Sequence, residues 1–226
     1  MATSFYHLVR GFVAPATKLY LRPRVTGLEN VPEDGAFLIA SNHLALLDSF
    51  IIPVVCPRGM RFIAKDEYWH RRGPIGWIQK SFFQAIGTVP VDRDTLVSKQ
   101  GALKAALEIL QGGDGFAIYP EGTRSRDGRL YKGRQGAAWL AMEADCPVIP
   151  VGLKGTDTVM QKGRLLPARR TLTLRFGTPI RPADIDPSLP GGVRRRMLND
   201  RIMDEIAELS GQERADELNK HSSRDI

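Results

Sequence analysis

The amino-acid sequence predicts an α/β fold, with a single central mixed sheet flanked by helices and an amphipathic helical segment at the N-terminus. Short apolar runs such as Ala36–Ala40 and Val148–Leu153 alternate with longer segments whose apolar residues recur at helical spacing. Strands that alternate with helices build a sheet whose faces the helices cover. The length of 226 residues suits one such domain, and no internal repeat or clear linker divides the chain.

The N-terminal segment, residues 4–21, combines apolar and aromatic side chains with cations, and Pro15 interrupts its helical pattern. An aromatic, apolar face with flanking cations favours a helix that lies in the membrane interface, although an ordinary first helix packed on the core would show the same pattern. We therefore divide the chain into a membrane-interface segment (1–24), a main domain (25–210) and a polar, frayed tail (211–226).

The main domain contains the alternating elements in order. We predict strands at 36–40, 61–64, 88–91, 116–119, 148–153 and 171–176, and helices at 48–55, 75–86, 98–110, 136–144 and 193–209. Pro57 closes the first of these helices, and Gly112 with Gly113 ends the third.

Charge and cysteine content narrow the class of protein. The net charge of +7 and the pI of about 9.6 favour anionic partners such as nucleic acid, acidic lipid headgroups or phosphorylated small molecules. The sequence has no helix-turn-helix, zinc-finger or aromatic single-strand signature, so we expect no nucleic-acid partner.

Cys56 and Cys146 lie in apolar surroundings, which indicates neither a disulfide framework nor a metal site and favours a reducing, cytoplasmic setting.

No run of about 18 apolar residues is long enough to span a bilayer. The N-terminus also lacks the basic region and sustained apolar core of a signal peptide.

His43 and Asp48 are the most informative pair in the chain. They follow the predicted strand at 36–40, and Asp48 begins the next predicted helix. Positions five apart on a regular helix lie about 140° apart around its axis, so the two side chains can meet only if the chain turns between them. A carboxylate that reaches one imidazole nitrogen fixes the tautomer and supports the cation formed when the other nitrogen takes a proton. The pair therefore predicts a general base, although two fixed letters alone are a short pattern.

Two further strand ends carry polar groups. Residues 119–125 turn at a proline and a glycine, and a hydroxyl and a guanidinium follow, which is the composition of loops that cradle phosphate. In this loop Glu121 could orient Arg124 or accept a hydrogen bond from a substrate hydroxyl. Arg93, at the end of the strand at 88–91, could face the same ligand, although on its own this segment favours a surface pair with Asp92.

Four segments in this order resemble the phospholipid and glycerol acyltransferase family, whose bacterial members include 1-acyl-glycerol-3-phosphate acyltransferases. Residues 42–48 resemble its first block, His-x-x-x-x-Asp, and residues 87–93 its second, with Pro90 where a large apolar residue is common. Residues 119–125 resemble the third block, with Tyr119 where Phe is usual, and residues 148–151 resemble the fourth. The resemblance covers roughly residues 25–180, which makes 25–210 an expected acyltransferase domain.

The resemblance implies transfer of a fatty acyl group from a thioester, acyl-CoA or acyl carrier protein, to a free hydroxyl of a lysophosphatidate-type acceptor, giving phosphatidate. His43 would be the base and Asp48 would orient it. The implied substrate-binding residues are Lys65, Arg93, Glu121, Gly122, Thr123 and Arg124. We expect no cofactor and no metal because a thioester is already reactive. No covalent acyl-enzyme is expected either, because no Gly-x-Ser-x-Gly elbow is present.

Two alternatives remain open. The same chemistry could act on glycerol-3-phosphate or another lysolipid, and a non-catalytic peripheral lipid-binding module would also suit a basic chain. In each case we expect an anionic membrane surface as a partner, with the protein peripheral or monotopic at the cytoplasmic face.

Overall fold

A computed structural model describes residues 11, 15, 17, 19–65, 73, 89–91, 96–159, 168 and 171–219. The predicted helix at 75–86, the side chain of Lys65, all of Arg93 and most of the N-terminal segment lie outside the described residues. Of that segment, the described Leu19 and Tyr20 have exposed side chains.

The described chain alternates strands and helices. The strands are β1 (Arg24–Thr26), β2 (Phe37–Ser41), β3 (Met60–Lys65), β4 (Val89–Val91), β5 (Gly115–Ile118), β6 (Leu130–Lys132), β7 (Val148–Lys154), β8 (Thr173–Phe176) and β9 (Arg214–Leu218). The α-helices are α1 (Asp48–Val55), α2 (Leu96–Gln111), α3 (Gly136–Ala144), α4 (Thr156–Val159) and α5 (Gly191–Ser210), and 3₁₀ turns lie at Leu28–Asn30 and Pro182–Asp184.

The main sheet is mixed, and its strand order is β1-β8-β7-β2-β5-β3-β4 within the described residues. Strand β2 is central and runs parallel to both of its neighbours, β5 and β7. The β7–β8 pair is antiparallel, which makes the sheet mixed as predicted. Strands β6 and β9 form a separate two-stranded parallel sheet.

The apolar core has two layers, one on each face of the sheet. Along β2 the side chains alternate between them, with Phe37 and Ile39 in one layer and Leu38 and Ala40 in the other. Helix α1 contributes to the first layer, whereas α2, α3 and α5 contribute to the second. Helix α5 packs so closely on β7 that a Cβ at Gly152 would lie 2.4 Å from the backbone of Leu209.

The helices at 48–55 and 136–144 have the bounds that the sequence predicts. The frayed tail is a wrong prediction for residues 214–218, because they form β9 and pair with β6. The sequence of this strand, Arg-Ala-Asp-Glu-Leu, has no apolar alternation that would have indicated a strand, and only Ala215 of it is buried.

Candidate active site

The candidate site lies where β2 and β5 end. These neighbouring strands are parallel, with Ala40 opposite Ile118, so their carboxyl ends meet at the same edge of the sheet. The loop after β2 carries His43, and the loop after β5 carries residues 119–125. Ligands of α/β proteins bind at this edge because loops from several strands converge there.

The side chains of His43 and Asp48 meet across a turn. His43 Nδ1 lies 2.8 Å from Asp48 Oδ2, and the same oxygen accepts the backbone N–H groups of Leu44 at 2.7 Å and Ala45 at 2.8 Å. The chain therefore turns around the carboxylate before α1 begins at Asp48 itself. The contact orients the imidazole and leaves Nε2 as the nitrogen that would exchange a proton with a substrate.

Asp48 is fully buried, whereas 13% of the His43 side chain is exposed. The second carboxylate oxygen, Asp48 Oδ1, is buried and has no hydrogen-bond partner among the described residues. All of the described hydrogen bonds to this carboxylate thus converge on the oxygen that faces the imidazole, which concentrates its negative charge against the ring.

Tyr119 supports the other side of the imidazole. Its ring stacks on that of His43 with centroids 3.9 Å apart and planes inclined by only 7°. The Tyr119 hydroxyl lies 3.0 Å from Ser49 Oγ, in the first turn of α1. A phenylalanine at this position would keep the stacking and lose the hydrogen bond to α1, so the tyrosine adds a link between its loop and this helix.

Glu121 lies inside the loop rather than facing a ligand. It is fully buried, and its two oxygens accept the backbone N–H groups of His43 at 3.2 Å and Tyr131 at 3.0 Å. Burial is the main reason that the pKa of Glu121 is raised to about 7; the two backbone hydrogen bonds oppose the rise, and the charge of Asp48 adds to it. We therefore reassign Glu121 from a substrate contact to a residue that ties the two loops together.

The turn that follows uses several of its backbone donors internally. Gly122, at φ +79°, donates its N–H to Tyr119 O at 2.9 Å, and Ser125 donates its N–H to His43 O at 2.8 Å. The Gly122 N–H therefore has an internal partner, and a role of Gly122 in substrate binding stays a prediction. Within the described part of the chain, the N–H groups of Thr123 and Arg124 are the ones in this stretch left for an anion.

Asp127 organises the distal part of the turn. One oxygen accepts the Ser125 hydroxyl and the Arg129 N–H, and the other accepts Arg129 Nε at 2.7 Å and the Tyr131 hydroxyl at 3.0 Å. The hydrogen bond from the Arg129 guanidinium holds the pKa of Asp127 well below its usual range. These contacts hold the Arg129 guanidinium against Asp127, so an anion at the turn would be bound by other cations.

Two exposed arginines belong to this part of the site. Arg124 is the predicted one, and Arg134 is a residue that sequence reasoning missed. A Cβ at Gly122 would lie 2.8 Å from Arg134 Nε, so this guanidinium lies directly over the glycine. The backbone N–H of Arg134 bonds to Pro120 O at 2.8 Å and fixes its position. The only signal in the sequence is a cation twelve residues after a glycine, which is too common to be informative.

The arrangement combines an oriented imidazole with a cationic turn at one edge of the sheet. It can remove a proton from a substrate hydroxyl and bind an anion close by. Among the described residues, no group of three or more His, Cys, Asp or Glu side chains could hold a metal ion. No described helix has both the length and the apolar character needed to cross a bilayer.

Comparison with known proteins gives a family match. Residues 22–154 match the family model described as Acyltransferase. The chain is 32% identical over 145 residues to the chloroplastic 1-acyl-sn-glycerol-3-phosphate acyltransferase BAT2 of Brassica napus, an alignment that covers 64% of this chain and 40% of the relative. It is 29% identical over 203 residues to the 1-acyl-sn-glycerol-3-phosphate acyltransferase of Bacillus subtilis, covering 88% of this chain and 95% of the relative.

A solved structure has a similar fold. The crystal structure of the 1-acyl-sn-glycerophosphate acyltransferase PlsC from Thermotoga maritima aligns with a TM-score of 0.66 and 25% identity, covering 90% of this chain and 82% of that one. The chain spans about two fifths of the length of the Brassica napus relative and of the chloroplastic 1-acyl-sn-glycerol-3-phosphate acyltransferase LPAT1 of Arabidopsis thaliana. The family match includes both loops of the candidate site and ends at the last residue of β7.

Proposed function

Because this chain belongs to the acyltransferase family, we propose that it moves a fatty acyl group from an acyl thioester to the free hydroxyl of 1-acyl-sn-glycerol-3-phosphate, giving phosphatidate. The donor would be acyl-CoA or acyl carrier protein. The names of the bacterial and plant relatives support this acceptor. The basic character of the chain supports a site of action at an anionic membrane surface on the cytoplasmic side, as a peripheral or monotopic protein.

In the proposed reaction His43 Nε2 takes the hydroxyl proton as the alcohol oxygen attacks the thioester carbonyl carbon. Asp48 holds the ring through Nδ1 and stabilises the imidazolium that forms. The C–S bond then breaks, and the imidazolium returns the proton to the departing thiolate. The acyl group passes directly between the two substrates, so no acyl-enzyme forms. The 2.8 Å contact between His43 and Asp48 is the single observation that carries this proposal.

The acceptor phosphate would bind the cationic turn. Arg134 lies over Gly122, and Arg124 is an exposed residue of the same turn, so two guanidinium groups could hold one phosphate by charge-assisted hydrogen bonds. Fixing the phosphate would orient the free hydroxyl toward His43, which is the proximity contribution to the rate. Lys65, at the end of β3, and Arg93 remain proposed additional cations.

The base is tested with His43→Asn, which keeps a short polar side chain beside Asp48 but cannot accept the proton. We expect loss of about 10²–10⁴-fold in kcat, measured as phosphatidate formed from radiolabelled donor. Vesicle binding should be unchanged, which separates an enzyme from the alternative of a non-catalytic lipid-binding module. Undiminished transfer by His43→Asn would contradict the proposal.

The phosphate site is tested with Arg124→Ala and Arg134→Ala. Each should lower kcat/KM for lysophosphatidate by about 10–100-fold, because a charge-assisted hydrogen bond is lost. Lys104→Ala removes the same charge from the exposed surface of α2 and serves as the matched control. A monoacylglycerol acceptor without phosphate should respond equally little to all three changes.

An acceptor panel separates the remaining alternative, the same chemistry on another acceptor. Lysophosphatidate, glycerol-3-phosphate and a second lysolipid are each offered with acyl-CoA and with acyl carrier protein. The proposal expects the highest kcat/KM with lysophosphatidate, and a clear preference for glycerol-3-phosphate would replace it with the alternative acceptor.

A further inference from the structure

The C-terminal segment, residues 212–219, contacts both loops of the active site, although it lies outside the region that the family model matches. It follows α5, whose end is marked by Gly211 at φ +68°. Its strand β9 runs beside β6, and the N–H of Leu130 donates to Glu213 O at 2.8 Å. The segment therefore lies beside β6, the strand that follows the turn carrying Arg124.

Gln212 links the two loops through one side chain. Its Oε1 accepts Asn42 Nδ2 at 2.6 Å, and its Nε2 donates to Gly128 O at 2.7 Å. Asn42 directly precedes His43, and Gly128 lies in the turn after Arg124. The Gln212 amide thus spans from the base of the histidine loop to the cationic turn.

The Asn42 end of this link is rigid. Asn42 is fully buried, and its side chain pairs with the backbone of Leu153 in both directions, at 2.9 Å to the carbonyl and 2.8 Å from the N–H. Leu153 lies in β7, which neighbours β2 in the sheet. A side chain held in this way by the sheet gives Gln212 a fixed reference point next to His43.

Asn219 makes a second contact with the turn, at the residue proposed to bind phosphate. Its Nδ2 donates to the backbone carbonyl of Arg124 at 3.2 Å. Two amide side chains of the C-terminal segment thus donate to two carbonyls of the same turn, while strand β9 pairs with the strand that ends it. These contacts restrain the position of Arg124 without occupying its side chain.

We propose that residues 212–219 are a brace that sets the position of Arg124 relative to His43, with Gln212 and Asn219 as its positioning residues. The inference rests on the proposed function, since it assigns the brace to acceptor binding. The described side-chain hydrogen bonds of the brace to the two loops reach Asn42, Gly128 and Arg124 rather than the catalytic pair, so loosening the brace should weaken acceptor binding more than it lowers the rate of transfer to a bound acceptor.

The test compares Gln212→Ala, Gln212→Glu and Asn219→Ala with wild type. A glutamate can still accept from Asn42 but cannot donate to Gly128 O, so it isolates the contact with the turn. Asp216→Asn changes an exposed residue of the same strand and is the matched control. Two measurements are made on each protein: hydrogen exchange of the amides at 121–131, and steady-state kinetics with acceptor and donor varied separately.

All three brace variants should speed exchange at Ser125 and Tyr131, and the control should not. KM for lysophosphatidate should rise about fivefold in each, because the loss of one neutral hydrogen bond typically changes a binding constant by about that factor. KM for the donor should stay at its wild-type value. Unchanged exchange, or an unchanged acceptor KM in an active protein, would overturn the brace. In another outcome the wild-type protein transfers no acyl group, yet the brace variants exchange faster. That result would support the brace contacts and refute only the proposed function.

Discussion

Replacing Asp48 with asparagine removes the charge of the carboxylate while keeping its shape. The asparagine carbonyl can take the place of Oδ2 and accept the same three N–H groups, from His43, Leu44 and Ala45. The amide nitrogen then takes the place of Oδ1, which has no hydrogen-bond partner among the described residues, so no described bond breaks. The substitution therefore tests the charge separately from the geometry.

The expected loss follows from the distance. The two contacting atoms are 2.8 Å apart, which places the centres of the imidazolium and carboxylate charges about 4 Å apart, and at an effective dielectric constant of about 20 their attraction is about 4 kcal/mol. The imidazolium forms as the transition state is reached, so this attraction acts mainly there. Its removal should lower kcat by about 10³-fold.

The assay is kcat for phosphatidate formation at saturating donor and acceptor, together with the free energy of unfolding in urea. Asp114→Asn is the control, because Asp114 pairs with Arg61 at 3.0 Å but both side chains are about one third exposed. Such a surface pair contributes at most about 1 kcal/mol to stability and should leave kcat unchanged. A loss of less than about tenfold for Asp48→Asn, in a protein of wild-type stability, would refute the assigned electrostatic role.

Three further predictions concern the residues around the imidazole. Because burial raises the pKa of Glu121 to about 7, its contribution to stability is fully present below about pH 4.5 and is lost as the pH rises through 7, by about 3 kcal/mol in total. Urea unfolding of Glu121→Gln should show that this part of the pH dependence has disappeared. Tyr119→Phe should keep kcat within a few fold, since stacking on His43 is kept while the bond to Ser49 is lost, whereas Tyr119→Leu should lower kcat up to about tenfold because stacking on His43 is lost. Gly122→Ala should lower stability by about 1–2 kcal/mol, measured by thermal unfolding, since alanine is strained at φ +79°.

Much of the fold and the central pair could be predicted from local sequence. The apolar run at 36–40 and the helical spacing at 48–55 place a strand before a helix, and a turn between them is the only way for His43 to meet Asp48. These features depend on residues close together in the chain, where periodicity and turn preferences act directly.

The features that could not be predicted depend on distant residues. Glu121 turns inward because the N–H groups of His43 and Tyr131 both reach it, and neither contact leaves a local pattern around position 121. The strand at 214–218 is polar and gains its order by pairing with β6 across more than eighty residues. Arg134 lies over Gly122 only because the chain returns to Pro120. Each of these is a tertiary contact that overrides local propensity.

His43 is held by two buried carboxyl groups that act on different parts of it. Asp48 contacts the ring, whereas Glu121 accepts the backbone N–H. If both carboxyls were charged, the fully buried pair would carry two negative charges beside a single imidazole. The raised pKa of Glu121 relieves this, because Glu121 can be neutral near pH 7 while Asp48 balances the imidazolium. The two residues thus differ in what they contact, since Asp48 binds the ring whereas Glu121 supports the backbone, which is why only Asp48 is expected to control the rate through its charge.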